Sequence, residues 1–127
     1  MMRLDSDLLE LMLATVNGAI GQVNVRWRAD AALTVVLAAN GYPGEYRKRL
    51  PIAGIDRAEA LPGVRVFHAG TKAIDGRLVS AGGRVLNVTA QAPTLAEARS
   101  RAYAAAALID FPGGFFRHDI GARGAAG

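Results

Sequence analysis

Between Asp5 and Val16 the apolar residues Leu8, Leu9, Leu11, Met12, Leu13 and Val16 recur at helical intervals, with Asp5 or Ser6 placed to cap the start and Asn17-Gly18 to stop the helix. At about 100° per residue these positions spread over roughly 200° of circumference, wider than the stripe an ordinary surface helix buries. Such a helix either sinks into the core of its own chain or turns a flank to a neighbouring domain or a second copy. Further on, Val23, Val25 and Trp27 alternate with Asn24, Arg26 and Arg28, the period of a half-exposed strand. The run Ala31–Ala39 (AALTVVLAA) reads as a buried strand, and the two together predict a hairpin.

Asn40-Gly41-Tyr42-Pro43-Gly44 then breaks the pattern, and a basic cluster, Arg47, Lys48 and Arg49, leads through a structured loop to Pro51. Gly63–His68 predicts another strand, ended by Ala69-Gly70-Thr71. Leu78-Val79 and Val85–Ala90 predict a hairpin about Ala81-Gly82-Gly83-Arg84. Thr94-Leu95-Ala96-Glu97 is a capping box, after which Leu95, Ala98, Ala102, Ala105, Ala106 and Ile109 share one helical face. That face is mostly alanine, so the helix should lie close against a sheet. The tail, FPGGFFRHDIGARGAAG, is rich in turns, and its last four residues are expected to fray. The class these elements predict is α+β: a small, mostly antiparallel sheet or half-barrel with one packed helix and the N-terminal helix alongside.

A chain of 127 residues supports one core, and 51% hydrophobic against 20% charged residues excludes a disordered segment. Fifteen Lys and Arg against eleven Asp and Glu leave a charge of +4, a balance that tolerates a phosphate-bearing ligand. The absence of cysteine excludes disulfide frameworks, thiolate zinc sites, iron–sulfur clusters and cysteine nucleophiles, and fits a reducing compartment. No apolar stretch reaches the roughly 18–20 residues of a membrane span. Acidic residues interrupt the N-terminus where a secretory signal would be apolar, so a cytoplasmic protein without a membrane partner is expected.

Catalytic templates are missing. Ser6, Ser80 and Ser100 lie in no nucleophile motif, there is no phosphate-binding P-loop or dinucleotide fingerprint, and His68 and His118 stand far apart without a third ligand. A histidine at a strand end is more often a hydrogen-bonded structural residue than a catalyst. Three segments do combine glycine with donors: Gly41-Tyr42-Pro43-Gly44, Gly70-Thr71 and Gly82-Gly83-Arg84. Glycine lets backbone N–H groups approach an anion, and a guanidinium can hold phosphate or carboxylate in a fork. Against this stands the plainer reading of turn-forming glycines and a solvated arginine, with Arg47, Lys48 and Arg49 a wet loop.

Five strings, in order, resemble the C-terminal domain of the phosphoribosylamine–glycine ligases: Val35–Tyr46 (VVLAANGYPGEY), Val66–Thr71 (VFHAGT), Gly82–Ala90 (GGRVLNVTA), Ala102-Tyr103 and Arg117–Gly121 (RHDIG). The beginning, Met2-Arg3-Leu4 with Ser6-Asp7-Leu8, is similar to the segment that closes that family's ATP-grasp domain. The resemblance implies that residues 1–28 end an ATP-grasp domain and connector, and that residues 29–127 are a C-terminal domain of the rudimentary-hybrid-motif type. It implies a parent enzyme of purine synthesis that joins glycine to 5-phosphoribosylamine through a glycyl phosphate, with ATP and Mg2+ or Mn2+ held by residues upstream of this chain. The chain by itself is then expected to bind no cofactor, to be inactive, and to have the N-terminal and ATP-grasp domains as partners. The substrate-binding candidates are Arg3, Gly41, Tyr42, Pro43, Gly44, His68, Gly70, Thr71 and Arg84, none of them as acid, base or nucleophile. Two departures from the family pattern stand out. Lys48-Arg49 occupies the place where the family has glycine after lysine, and Gln91-Ala92 replaces a small residue and glycine. The alternative is an independent basic module for nucleotides or RNA, disfavoured because arginine and lysine are scattered singly among acids and surface aromatics do not interleave with them. No nucleic-acid partner is expected.

Overall fold

In a computed structural model, which describes residues 1–125, the apolar run Ala31–Ala39 forms strand β1 as the pattern predicts. Val64–His68 (β2), Arg84–Ala92 (β5) and Gly114–Phe115 (β6) complete a sheet of order β2-β5-β1-β6, antiparallel throughout. Strand alternation divides its side chains between two faces. Leu33, Val35 and Leu37 stand opposite Ala90, Val88 and Leu86, are joined by Val64 and Val66, and are buried. Against them packs helix α3 (Leu95–Ala107), capped by Thr94, whose hydroxyl accepts the Glu97 N–H. Its Ala98, Ala102, Ala105 and Ala106 are buried, so the helix backbone lies close to the sheet, as the alanine face predicts. A five-residue helix, α2 (Ile55–Glu59), which the sequence pattern did not suggest, contributes Ala58 to the same core.

The other face of the sheet is mixed. Ala32, Thr34 and Val36 stand opposite Gln91, Thr89 and Asn87, with Arg65 and Phe67 of β2 alongside. Thr34 and Thr89 share a hydroxyl hydrogen bond of 2.8 Å across the strands. No helix among the described residues covers this face, and the candidate site forms on it.

Three local expectations are corrected. The first helix, α1, runs Leu8–Val16, and its cap is Asp7, whose Oδ1 accepts the N–H groups of Leu9 and Glu10 at 2.7 and 3.1 Å. Asp5 and Ser6 are engaged elsewhere: the Ser6 hydroxyl accepts the Arg26 N–H at 2.7 Å, and the Asp5 carboxylate pairs with Arg26 and Arg28. Residues 23–28 form no strand beyond a single Leu4–Trp27 bridge, and no hairpin with β1, which pairs with β5 along its length and with β6 at Ala38 and Ala39. Leu78-Val79 does not pair with Val85–Ala90 either. It lies in β4 (Arg77–Ser80), which folds back on β3 (Thr71–Ile74) about Asp75-Gly76, both at positive φ (47° and 73°) as a tight hairpin turn demands.

No residue of α1 is buried: Leu9, Leu13 and Val16 are 64%, 54% and 84% exposed. Of the two fates open to so apolar a helix, burial in its own core is therefore not the one adopted. Near the C-terminus, Ala125 N–H donates to the Gly121 carbonyl at 3.0 Å, so the turn holds to that point; Ala126 and Gly127, also expected to fray, lie outside the described residues. No helix among the described residues is long and apolar enough to cross a membrane.

Candidate functional site

Regular pairing of β1 with β5 ends at Leu37–Leu86, and the next partners are Ala38 and Arg84, leaving Val85 as an extra residue in β5. A bulge of this kind re-aims the side chains beyond it. In unbroken alternation Arg84 would share the core face with Leu86; the bulge places it with Ala38, on the open face. There its Nη1 donates to the Tyr42 hydroxyl at 3.2 Å, and its guanidinium lies 6.0 Å from the centre of the Tyr42 ring. Tyr42 in turn needs Gly83, since a Cβ there would sit 2.1 Å from the ring.

The three glycine segments do converge. Ala39 N–H donates to the Gly83 carbonyl, Gly70 N–H to the Arg84 carbonyl, and Ala81 and Gly82 N–H groups to the Gly70 carbonyl. A Cβ on Gly70 would meet the Arg84 carbonyl oxygen at 2.6 Å and Gly82 Cα at 2.7 Å, so close chain packing alone requires glycine. Gly41 is at φ 96°, and a Cβ there would meet the Glu45 carbonyl oxygen at 2.0 Å. The amides of Tyr42 and Gly70 are committed within the fold, to the carbonyls of Ala39 and Arg84. The groups of this region that line the cavity described below include the side chains of Tyr42 and Arg84. Pro43 and Gly44 complete the turn that carries Tyr42.

A fourth segment arrives from the C-terminus. The Tyr103 hydroxyl donates to the Arg117 carbonyl at 2.7 Å and accepts the Ile120 N–H at 3.0 Å, while Arg99 donates to the carbonyls of His118 and Ile120 and lies 4.8 Å from the Tyr103 ring centre. His118 stacks on Tyr103, and Gly121, at φ 71°, lies against Leu33 where a Cβ would not fit. The string Arg117–Gly121 is thereby pinned onto α3. Arg117 and Ile120 join Tyr42 and Arg84 around a cavity of about 260 Å3 whose floor is Val36, Ala38 and Phe115. Arg117 is chelated by Asp119, with Nε to Oδ1 at 2.9 Å and Nη2 to Oδ2 at 2.5 Å. That pairing, chiefly its hydrogen bond, holds the Asp119 carboxyl below its ordinary range and the Arg117 guanidinium above its own.

The remaining predicted residues lie apart. Arg3 borders a second, larger cavity of about 500 Å3 with Trp27, Phe67, Asn87 and Thr89, and the two cavities meet at Thr34. Its Nε and Nη2 both donate to the Arg28 carbonyl, at 3.3 and 3.1 Å. His68 and Thr71 form their own pair, Nδ1 to Oγ1 at 2.9 Å, and line neither of these two cavities. Arg117, Phe115 and Ile120 are site residues that periodicity and spacing did not single out. Nothing in residue spacing links position 117 to 84; the one clue was that RHDIG was among the resembling strings. No three His, Asp or Glu side chains among the described residues are grouped to hold a metal ion.

Comparison with known proteins gives one consistent result. Residues 32–123 match the family described as phosphoribosylglycinamide synthetase, C domain. The chain is 52% identical over 123 residues to a phosphoribosylamine–glycine ligase of Brucella melitensis, covering 97% of this chain and 29% of that protein. It is 53% identical over 125 residues to the chloroplastic phosphoribosylamine–glycine ligase of Arabidopsis thaliana, covering 97% of this chain and 24% of that one. The crystal structure of a phosphoribosylamine–glycine ligase from Thermotoga maritima superposes with a TM-score of 0.69 at 34% identity, over 87% of this chain and 27% of that chain. The chain thus spans less than a third of the length of these relatives.

Proposed function

Because the chain belongs to the family of the phosphoribosylglycinamide synthetase C domain, we propose that it serves as the C-terminal domain of an ATP-dependent ligase of purine synthesis, joining glycine to 5-phosphoribosylamine with release of ADP and phosphate. The observation that carries this reading is the match of nearly the whole chain to about a quarter of ligases from bacteria and a plant. The exposed apolar flank of α1 supports it, because a helix with Leu9, Leu13 and Val16 in water finds its natural cover in another domain.

In such a reaction the carboxylate of glycine is activated by phosphoryl transfer from ATP, and the amine then attacks the acyl carbon and expels phosphate. Positioning and charge neutralisation are the tasks that fall to the protein. The side chains here suit those tasks: Arg84, Tyr42 and Arg117 form a cationic wall with a hydroxyl, and the pinned C-terminal turn fixes it. In this reading nucleotide and divalent cation are held by the domains this chain does not span. In this reading residues 1–28 close the ATP-grasp domain of a cytoplasmic enzyme, and the cavity lined by Tyr42, Arg84 and Arg117 borders the pocket for phosphoribosylamine, with His68–Thr71 outside it.

The test is a coupled assay for ADP with glycine, ATP, Mg2+ and phosphoribosylamine. The isolated chain is expected to give no turnover. Turnover by the purified 127-residue chain would overturn the assignment of the chemistry to other domains.

A further inference from the structure

We propose that the β3–β4 hairpin, with residues 49–52 beside it, is a docking surface for an extended acidic segment of a partner protein, which adds as a strand to the free edge of β3. The surface lies outside the ligase reading and uses none of the residues around the cavity of Arg84 and Arg117.

The use the fold makes of its basic side chains marks the place. Up to Arg117, every arginine outside this region is held by a carboxylate, a carbonyl or a phenol of the chain. Arg49, Lys72 and Arg77 are exposed and form no ion pair or side-chain hydrogen bond among the described residues. They also converge. Arg49 N–H donates to the Ser80 carbonyl, Ser80 N–H to the Leu50 carbonyl and Ile52 N–H to the Leu78 carbonyl, so residues 49–52 run antiparallel beside β4. In the hairpin register Lys72 stands opposite Val79 and Ile74 opposite Arg77, which puts these four on one face. Arg49, Arg77, Ile74 and Val79 line a cavity of about 390 Å3 that shares no residue with the two on the open sheet face. Asp75, in the turn, is the one acid among its lining residues.

Arg49 reaches this cavity from left-handed backbone, at φ 62°. Strain of this kind is kept where a function requires it, and here the strained side chain holds nothing within its own chain. The edge then decides what binds. Among the described strands β3 pairs with β4 alone, so its outer side is open to a further strand. In a hairpin with a two-residue turn the flanking pair is hydrogen-bonded, so Ile74 and Lys72 direct their backbone groups to β4 and the exposed Ala73 directs its own outward. A second copy of β3 would set Lys72 against like charge, which opposes pairing, whereas an acidic strand gains from the same lysine. On an added strand, side chains of one face repeat about every 6.8 Å. Acidic residues at that interval meet Lys72 and, from the next strand, the long side chain of Arg77, with Ile74 and Val79 as the apolar floor.

The experiment is a titration of the 127-residue chain with a synthetic six-residue peptide of alternating glutamate and threonine, blocked at both ends, followed by amide and arginine Nε resonances. The peptide is expected to shift the Ala73 amide and the Nε of Arg49 and Arg77, and to leave Arg84 and Arg117 unmoved; its lysine–threonine analogue should shift none of them. Arg49→Gln and Arg77→Gln should each weaken binding about threefold, and the double variant about tenfold. Arg49→Gly should bind as weakly as Arg49→Gln while melting higher than wild type, a gain in stability with a loss of binding that a purely structural arginine would not show. Equal binding by wild type and the double variant would overturn the proposal. So would movement of the arginine resonances with the Ala73 amide unmoved, or equal binding by inorganic phosphate or hexathymidylate, which would mark a general anion surface. A fusion to the missing domains should bind the peptide as the chain does, and failure there would show a face closed by those domains and overturn the proposal too. Ligase activity of that fusion is expected to be unchanged in the double variant, so the docking surface and the ligase reading fail separately.

Discussion

Arg49 is held at φ 62°, in the left-handed region that favours glycine. The conformation is imposed by its neighbours: Arg49 N–H donates to the Ser80 carbonyl at 2.7 Å, and Leu50 N–H to the Ser80 hydroxyl at 3.1 Å. With a Cβ, left-handed backbone costs roughly 1–2 kcal/mol. Glycine removes that strain but raises the entropy of the unfolded chain, which costs roughly 0.5–1 kcal/mol. Arg49→Gly should therefore stabilise the chain by about 0.5–1 kcal/mol, raising Tm by roughly 2–4 °C for a domain of this size. Arg49 is exposed and forms none of the ion pairs found among the described residues, so removing its charge offsets nothing. Arg49→Ala is the control. It keeps the Cβ and the strain, and should melt within about 1 °C of wild type. Thermal unfolding of the three proteins at one concentration reads both effects. A glycine variant that melts at or below the alanine variant would refute the strain argument.

Other expectations follow from the same structure. Ala102 is fully buried on α3, so Ala102→Leu should lose about 1–3 kcal/mol in urea unfolding, whereas Ala104→Leu, on the exposed side, should be close to neutral; equal losses would mean that α3 does not pack on its alanine face. Tyr103→Phe removes two hydrogen bonds to the C-terminal turn and should cost about 1–2 kcal/mol, with faster hydrogen exchange at the Ile120 amide; unchanged exchange would mean that the hydroxyl is not what pins the turn. Because Arg117 lowers the folded-state pKa of Asp119, the pair's contribution is present above the ordinary carboxylate pKa of about 4 and is lost as pH falls through the lowered value. Carboxyl NMR should put the Asp119 midpoint below that ordinary value and return it upward in Arg117→Gln; an unmoved midpoint would contradict the chelate.

Much of the fold was legible because it rests on short-range rules. The uninterrupted apolar run of β1, the capping box of α3 and its alanine face each state their environment locally. The misread segments are those in which a long-range competitor decided the outcome. Val23–Trp27 alternates like a strand, but β1 takes β5, distant in sequence, as its partner along its length, and Trp27 bridges only to Leu4. Leu78-Val79 sits beside a glycine-rich turn, yet the Asp75-Gly76 pair before it forms the tighter hairpin, a signal that was present in the sequence and outweighed. The candidate site was half legible. Glycines 70 and 83 are where chains approach closely, and Tyr42 and Arg84 meet there. The part played by Arg117 depends on Tyr103 and Arg99 holding a turn distant in sequence, which no local pattern reveals. The bulge at Val85, which decides the face on which Arg84 emerges, is equally silent in a string that reads as regular strand.

The account stands most directly on one measurement: glycinamide ribonucleotide synthesis by a fusion in which this chain replaces the matching segment of the Brucella melitensis ligase, to which it is 52% identical. The fusion is expected to form glycinamide ribonucleotide, and an Arg84→Gln fusion to be impaired chiefly in KM for phosphoribosylamine. A well-folded fusion without activity would contradict the claim that this chain is a working C-terminal domain of such an enzyme.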